Sequence, residues 1–463
     1  MKINYLKYWV LFIFVILKTA VLPFFLPSGG ITSDSVDYFR ITIGFPKIVT
    51  DLFPLGYPFL VKIFYYIIPD YFYSTKIINV LGICFIGIFS YYKKFFFKET
   101  IILLTFKIFS LFLFSYSEPP FLVLEYLLVY YIYQYFSGEL KGIRFVFPAS
   151  VIMVCMFLVR YSGIYIYLAI GLYFLYYTIK NKLFKTFYYK SYFYFLIFSA
   201  IGILGYIGFN YTHFNDFIGE SSRGLPNYNN IYTFSHENFL GVINVLNPIL
   251  SVKVTEYSSS IMLLIGIVLI LIDISLLFMF FIGYKKFFKR EVSNFHQLLL
   301  TIGIVYLGCM VFSEYTQRIE IISTRMICES SFVLFFSFLI LYYKCFPAKT
   351  KWLFILGVIS LLYSIIAIIK TPSNYLKNRE KVEYALKKRK EVKYFYRDSN
   401  GEDGKMTIKI PFIDKKIDYT NVNIISGNYN LYIVTGLVPS IKLISNDKDI
   451  KDKNQILYNS QIK

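Results

Sequence analysis

The chain has 463 residues, 57% of them hydrophobic and 21% aromatic. Only 16% are charged, against about 25% in an ordinary soluble domain, and the mean hydropathy is +0.55, which speaks against a soluble globular protein. The net charge of +20 invites a nucleic-acid partner, but the Lys and Arg residues cluster between apolar runs, where membrane-topology signals belong.

Runs of transmembrane length predict about eleven helical spans. The first covers Trp9 to Leu26, and Lys2 and Lys7 before it, with no small-residue cleavage pattern, make it an uncleaved anchor. A polar outer loop over 27–74 follows, in which Gly56 to Phe64 reads as an amphipathic stretch along the interface. The next spans are Thr75–Tyr92, Thr100–Tyr116, the run from Pro120 to Phe136, Phe145–Val159, and the run from Gly163 to Ile179. Ser191–Phe209 is the seventh, followed by a second polar loop over 210–258. Ser259–Tyr284, His296–Phe312, Thr324–Tyr343 and Trp352–Ile369 complete the set.

With the N-terminus inside, every cytoplasmic loop is rich in Lys and Arg: Lys93–Lys98, Ser137–Arg144, Lys180–Lys190, Lys285–Arg290 and Lys344–Lys351. The outer loops are rich in Asp, Glu, Asn and Ser instead. The expected fold is thus an all-α polytopic membrane domain over 1–370, N-in and C-out, in a plasma or inner membrane. A small extracytoplasmic α+β domain is expected over 371–463. Its helix is expected at Asn378–Lys393 and its strands at Met406–Ile410, Val422–Ile425 and Asn430–Val434. The five cysteines show no C-x-x-C spacing and support neither a zinc site nor a disulfide framework.

This topology gathers the outer polar residues on one face: Asp34, Asp37, Arg40 and Asp51 in the first loop, then Glu118, then Arg160. Asn210, His213, Asp216, Glu220, Arg223 and His236 follow in the long loop, and Glu314, Arg318, Glu320 and Arg325 in the next. Carboxylates and arginines at a lipid edge suit a reaction on a phosphate-bearing lipid: Arg holds phosphate in charge-assisted forks, and a carboxylate takes a proton from an acceptor. The plainer alternatives are a solvated loop position or a helix N-cap for Asp34 and Asp37, a plain helix start for Glu118, and headgroup anchoring for Arg160, Arg223 and Arg325. His213 and His236 read as ordinary loop residues. Inside the spans, Lys107 and Glu125 are expected to face each other as an ion pair, and Lys18 and Asp273 form a second candidate pair.

Four local signatures in order carry a family resemblance. They are Ser33-Asp34-Ser35-Val36-Asp37-Tyr38 after one span, Pro54-Leu55-Gly56-Tyr57-Pro58, Ser117-Glu118-Pro119-Pro120-Phe121, and Arg160 with Ser162-Gly163. Weaker echoes are Asn210, Asp216, Gly219 and Arg223, and the Arg325 that opens the tenth span. Together they resemble the GT-C superfamily of integral-membrane glycosyltransferases, in the bacterial branch of protein O-mannosyltransferases and aminoarabinose transferases. The resemblance implies transfer of a sugar from a polyprenyl-phosphate donor to an extracytoplasmic acceptor. Asp34 would be the base and Asp37 the reserve, with Tyr38, Tyr57, Glu118, Arg160, Arg223 and Arg325 contacting substrate. The first-loop motif is neither Asp-Glu nor a tight Asp-x-Asp, so a divalent metal cofactor is left open. Two other classes compete: an O-antigen or capsule polymerase-like enzyme, disfavoured by the first-loop acid, and a lipid or sugar flippase, disfavoured by the lack of internal repeats.

Overall fold

The computed structural model describes residues 3–377 except 27–28, 47, 49, 185, 224–230, 250–259, 289–292, 318, 320–321, 371 and 373. Beyond 377 it describes only short strand segments. A bilayer offers no hydrogen bonds to exposed backbone, so apolar runs become helices, which satisfy their own N–H and C=O groups. The first half holds α1 (Ile3–Val21), α2 (Ser33–Gly44), α3 (Gly56–Ile67), α4 (Tyr71–Tyr92), α5 (Phe97–Thr105), α6 (Glu118–Phe136) and α7 (Ile143–Val159). The second half holds α8 (Gly163–Asn181), α9 (Phe187–Phe214), α10 (Glu220–Arg223), α11 (Ile231–Ile243), α12 (Ser260–Phe288), α13 (Asn294–Thr316), α14 (Cys328–Cys345) and α15 (Thr350–Ile369). Among the described residues eight helical segments are long and apolar enough to cross a membrane: those of α1, α4, α8, α9, α12, α13, α14 and α15. The chain is a multi-pass, all-α membrane protein in this region.

Helix ends follow local chemistry. Asp70 caps α4 by accepting the Tyr73 N–H at 3.1 Å, and Thr186 does the same for Tyr189 at the start of α9. α14 lies at the centre, packed against α5, α6, α12 and α13, while α7 is held between α6 and α9. Phe121, Tyr126, Tyr306, Phe332 and Phe336 are fully buried in this core.

Three expectations need correction. The two polar loops are largely helical: 27–74 contains α2 and α3, and in 210–258 α9 runs on to Phe214 and is followed by α10, α11 and a 3₁₀ turn at Asn244–Leu246. Short amphipathic helices carry too many polar residues to stand out as apolar runs.

The third expected span, 100–116, is not one helix. α5 stops after 9 residues, Phe106 is extended, and a 3₁₀ segment occupies Lys107–Leu113. The freed backbone groups are taken up by neighbours. Lys76 donates its ammonium to the Leu113 carbonyl at 2.8 Å, and Asn79 donates its amide to the carbonyls of Phe112 and Phe114 at 2.8 and 2.7 Å. Ser360 donates to the Thr105 carbonyl at 3.0 Å, and the Lys107 N–H reaches the Pro248 carbonyl at 2.9 Å. Irregular backbone at membrane depth is tolerated where protein supplies such partners.

The expected ion pair of Lys107 with Glu125 is also absent. Neither Glu125 carboxylate oxygen has a hydrogen-bond partner among the described residues, and the charge acting on Glu125 is the like charge of Glu329. Lys107 acts instead on Asp273, and it opens the 3₁₀ segment after the break rather than continuing α5. Lys18, the other candidate partner of Asp273, donates to Ser110 at 3.1 Å, while Asp273 accepts from Asn247.

In the tail, Lys415–Thr420 pairs antiparallel with Lys405–Ile410 and parallel with Lys393–Phe395. The strand expected at Met406–Ile410 falls within the second of these segments. The strands expected at 422–425 and 430–434, and 378–392 of the expected helix, lie outside the described residues.

Candidate functional site

Four separate segments meet at one end of the helical core. The first is the start of α2. Thr32 is its N-cap and its N–H donates to Ser35 Oγ at 3.1 Å, which fixes where the helix begins. Ser35, Tyr38, Phe39 and Thr42, at helical spacing, form the buried face. Asp34 falls in the first turn, where a carboxylate favours the positive helix end.

The second segment opens α6 with Glu118-Pro119-Pro120, since Pro is tolerated where the helix has no N–H partner to lose. The third is the residue after α7. Arg160 there has an extended backbone, and its carbonyl accepts the Gly163 N–H at 3.0 Å in the turn to α8. The fourth is the turn before α14, which carries Arg325 four residues before Glu329.

Their side chains form one knot. Arg325 Nε donates to Glu118 Oε1 at 2.6 Å, and its Nη2 donates to Asp34 Oδ2. Arg160 Nη1 lies 2.7 Å from the same Glu118 oxygen and 3.4 Å from Glu329 Oε1. These last two are charge contacts rather than aligned hydrogen bonds, because the N–H does not point at either oxygen. Arg325 also stacks over the Tyr116 ring, with Cζ 4.5 Å from its centroid. Tyr38 and Ser117 share a hydrogen bond of 2.9 Å beside Glu118. Glu118 is 1% exposed against 21% for Arg325 and 15% for Asp34, so the knot has a sealed base and an accessible rim.

The electrostatics follow from this geometry. Burial works against the charges of Arg325 and Arg160, but the facing carboxylates outweigh it: Glu118 and Asp34 for Arg325, Glu118 and Glu329 for Arg160. Both guanidiniums are held above the ordinary arginine value. Burial, together with the charges of Glu118 and Asp34, pushes the Tyr38 phenol up, so it stays a neutral hydrogen-bonding group.

Asp34, Tyr38, Glu118, Arg160 and Arg325 are therefore brought together. Asp37 lies one turn further along α2 and is partly buried. Tyr57 is fully buried and packs edge-on against Tyr38 at 4.8 Å, so it backs the knot as a wall. Arg223 belongs to a neighbouring cluster: it donates to Gln317 Oε1 at 3.0 Å and to the Leu52 carbonyl at 3.4 Å, and lies over the Tyr161 ring. Asn210 donates to Tyr161 at 3.0 Å, and the Glu220 carboxylate accepts the Ile218 N–H at 2.7 Å. Gly219 joins this cluster with φ +77°, and a Cβ there would meet the Asp51 carbonyl oxygen at 2.9 Å. The side chains of Arg40, His236, Arg318 and Glu320 lie outside the described residues.

Sequence reasoning missed Glu329 and Tyr116, and had Ser117 only as part of a signature, with no role. Glu329 was findable as a lone carboxylate in an apolar run, four residues after Arg325. For a divalent metal, the donor set fits poorly. Asp34 and Glu118 both already hold Arg325, which takes the position of a bridging cation. Among the described residues no three His, Cys, Asp or Glu side chains gather closely enough to hold a metal ion. Comparison with protein-family models and with curated proteins gives no match. The class defined by the helices is thus a multi-pass membrane protein with a buried carboxylate–arginine knot at one end of its core.

Proposed function

We propose that the chain is a membrane glycosyltransferase that moves a sugar from a polyprenyl-phosphate donor to an acceptor outside the membrane. In this reading the eleven expected spans are α1, α4, α5 with the 3₁₀ segment after it, α6, α7, α8, α9, α12, α13, α14 and α15, the N-terminus is inside, and the knot faces the extracytoplasmic side of a plasma or inner membrane. The observation that carries it is the convergence of Asp34, Glu118, Arg160 and Arg325 from four distant segments on one half-buried spot.

The chemistry follows from those groups. Asp34 takes the proton of an acceptor hydroxyl or amine as its oxygen or nitrogen attacks the anomeric carbon. The bond from that carbon to the phosphate oxygen breaks in line, with inversion, and its electron pair leaves with the lipid phosphate. That phosphate gains one negative charge, which Arg325 meets. In the resting knot Arg325 is bound to Asp34, so an arriving donor phosphate draws the guanidinium to itself and releases Asp34 as a base. Glu118 keeps Arg325 and Arg160 oriented throughout. The arginines supply the positive charge, and no step is routed through a metal.

The test is release of radiolabelled sugar from a panel of polyprenyl-phosphate donors by the purified protein and by Asp34→Asn. Consumption of a donor by the wild type, with a loss of about 10²–10⁴-fold in the variant, is expected for a missing general base. A variant equal to wild type, or no donor consumed at all, overturns the reading.

A further inference from the structure

A second charged concavity lies at the other end of the helical core. It is bounded by the N-terminal end of α1, the C-terminal end of α4 with the turn into α5, and the C-terminal end of α14. α14 starts beside Arg325 and Glu329 and runs 18 residues, a rise of about 27 Å, before reaching this cavity. The two charged regions are therefore separated by about the thickness of a bilayer core. The cavity measures about 840 Å³, ample for a lipid headgroup.

Its lining is basic and aromatic. Lys94, Lys98 and Lys344 face it, against the single carboxylate of Glu99. Tyr5, Tyr92 and Tyr343 supply the aromatic walls, and the Lys98 ammonium lies 5.0 Å from the Tyr5 ring centroid. The turn that carries Lys94 is unusual: Lys94 and Phe96 both have left-handed backbone, with φ +52° and +48°. Non-glycine residues adopt this conformation at a cost, and a bulky aromatic does so rarely. Between them Phe95 is 1% exposed and packs against Tyr126 and Phe336, so the turn is pinned to the core in one shape. Such a turn fixes the backbone from which Lys94 lines the cavity.

We propose that this cavity is a second ligand site, which takes the phosphate headgroup of an anionic lipid from the leaflet opposite the Asp34 knot. Lys binds a phosphate as a point charge and needs no planar fork, which suits the single phosphate of a phospholipid. Basic pockets between helices at a membrane surface recognise anionic headgroups in this way, and tyrosines sit well at headgroup depth. The acyl chains would lie along the exposed apolar faces beside the pocket, including Phe85 and Ile88 of α4. The site is independent of the transfer reaction proposed above.

The test uses the full chain in phosphatidylcholine nanodiscs doped with phosphatidylglycerol, followed by native mass spectrometry of retained lipid. A variant combining Lys94→Gln, Lys98→Gln and Lys344→Gln is compared with one combining Lys180→Gln, Lys182→Gln and Lys190→Gln, which removes the same charge elsewhere. Phosphatidylglycerol affinity falls about a hundredfold in the first, the combined effect of three lysines near an anionic surface, and stays near wild type in the second. The corresponding triple arginine variant retains the lipid. Equal loss in both glutamine variants, no loss in the first, or full loss in the arginine variant each overturns the proposal. Inorganic pyrophosphate is added as a competitor. If it displaces the lipid from wild type at matching concentration, the site stands with a soluble phosphate as its source.

Discussion

The carboxylate–arginine knot and the break after α5 both bring polar side chains into apolar surroundings, and they settle them differently. In the knot, charge meets charge across four segments: Asp34, Glu118 and Glu329 against Arg160 and Arg325. At the break, Lys76 meets only neutral acceptors, the Leu113 carbonyl and Ser115 Oγ at 3.1 Å. A neutral acceptor serves local architecture, because removing it disturbs one bend. A shared carboxylate serves a site, because removing it orphans partners that arrive from elsewhere in the chain.

The largest effect that would break this comparison is at Glu118. Glu118→Ala removes the buried carboxylate shared by two half-buried guanidiniums and is expected to cost about 3–5 kcal/mol, read by thermal unfolding in detergent. A variant as stable as wild type would make the knot a set of loose surface pairs. Next comes Lys76→Met, which strips the Leu113 carbonyl of its donor and is expected to cost about 1–3 kcal/mol. Donor consumption per folded molecule should not change, and a specific loss of turnover would join the two regions that are separated above. A double-mutant cycle sharpens the contrast further. Arg160 and Glu118 should couple by more than about 1 kcal/mol, whereas Lys107 and Glu125 should add independently to within about 0.5 kcal/mol. The smallest expected effect is Thr32→Ala, which loses the 3.2 Å hydrogen bond between Thr32 Oγ1 and Ser35 Oγ at the start of α2 and costs about 1 kcal/mol or less, visible as a lower melting temperature that the serine variant restores.

Much of the site was legible because charge is costly in lipid and topology sorts what remains. Asp34, Glu118, Arg160 and Arg325 sit at the ends of apolar runs on alternate sides, so sidedness alone put them on one face. Glu329 escaped because it lies within a run that reads as a span. Lys76 escaped because it sits one residue inside the second expected span, where it reads as a boundary lysine. The Lys107–Glu125 expectation failed for a different reason. Pairing two residues by depth assumes continuous helices, and the partners of the broken stretch come from elsewhere in the sequence: Ser360 at the end of α5 and Asn79 at the end of the 3₁₀ segment. Likewise α2 was hidden because a short helix packed on a core mixes buried and polar residues too evenly to stand out, whereas the amphipathic stretch expected at Gly56 to Phe64 falls within α3. Arg223 was placed with the other arginines by the expected topology and the family resemblance, whereas its bonds to Gln317 and the Leu52 carbonyl put it in the neighbouring cluster.

The two prolines after Glu118 have a consequence for biosynthesis. They remove two N–H groups that a carboxylate at a helix start would otherwise draw on, so Glu118 depends on arginines from other segments. One of them, Arg325, stands 207 residues later in the chain, and Asp34 waits 291 residues for the same guanidinium. A ribosome delivers α6 to the membrane before Arg160 can meet Glu118, and long before Arg325 can join Glu118 to Asp34. The knot therefore closes only after α13 has been made and the turn into α14 has emerged, and a chain truncated before that turn would carry the acids of the site without the cation that joins them.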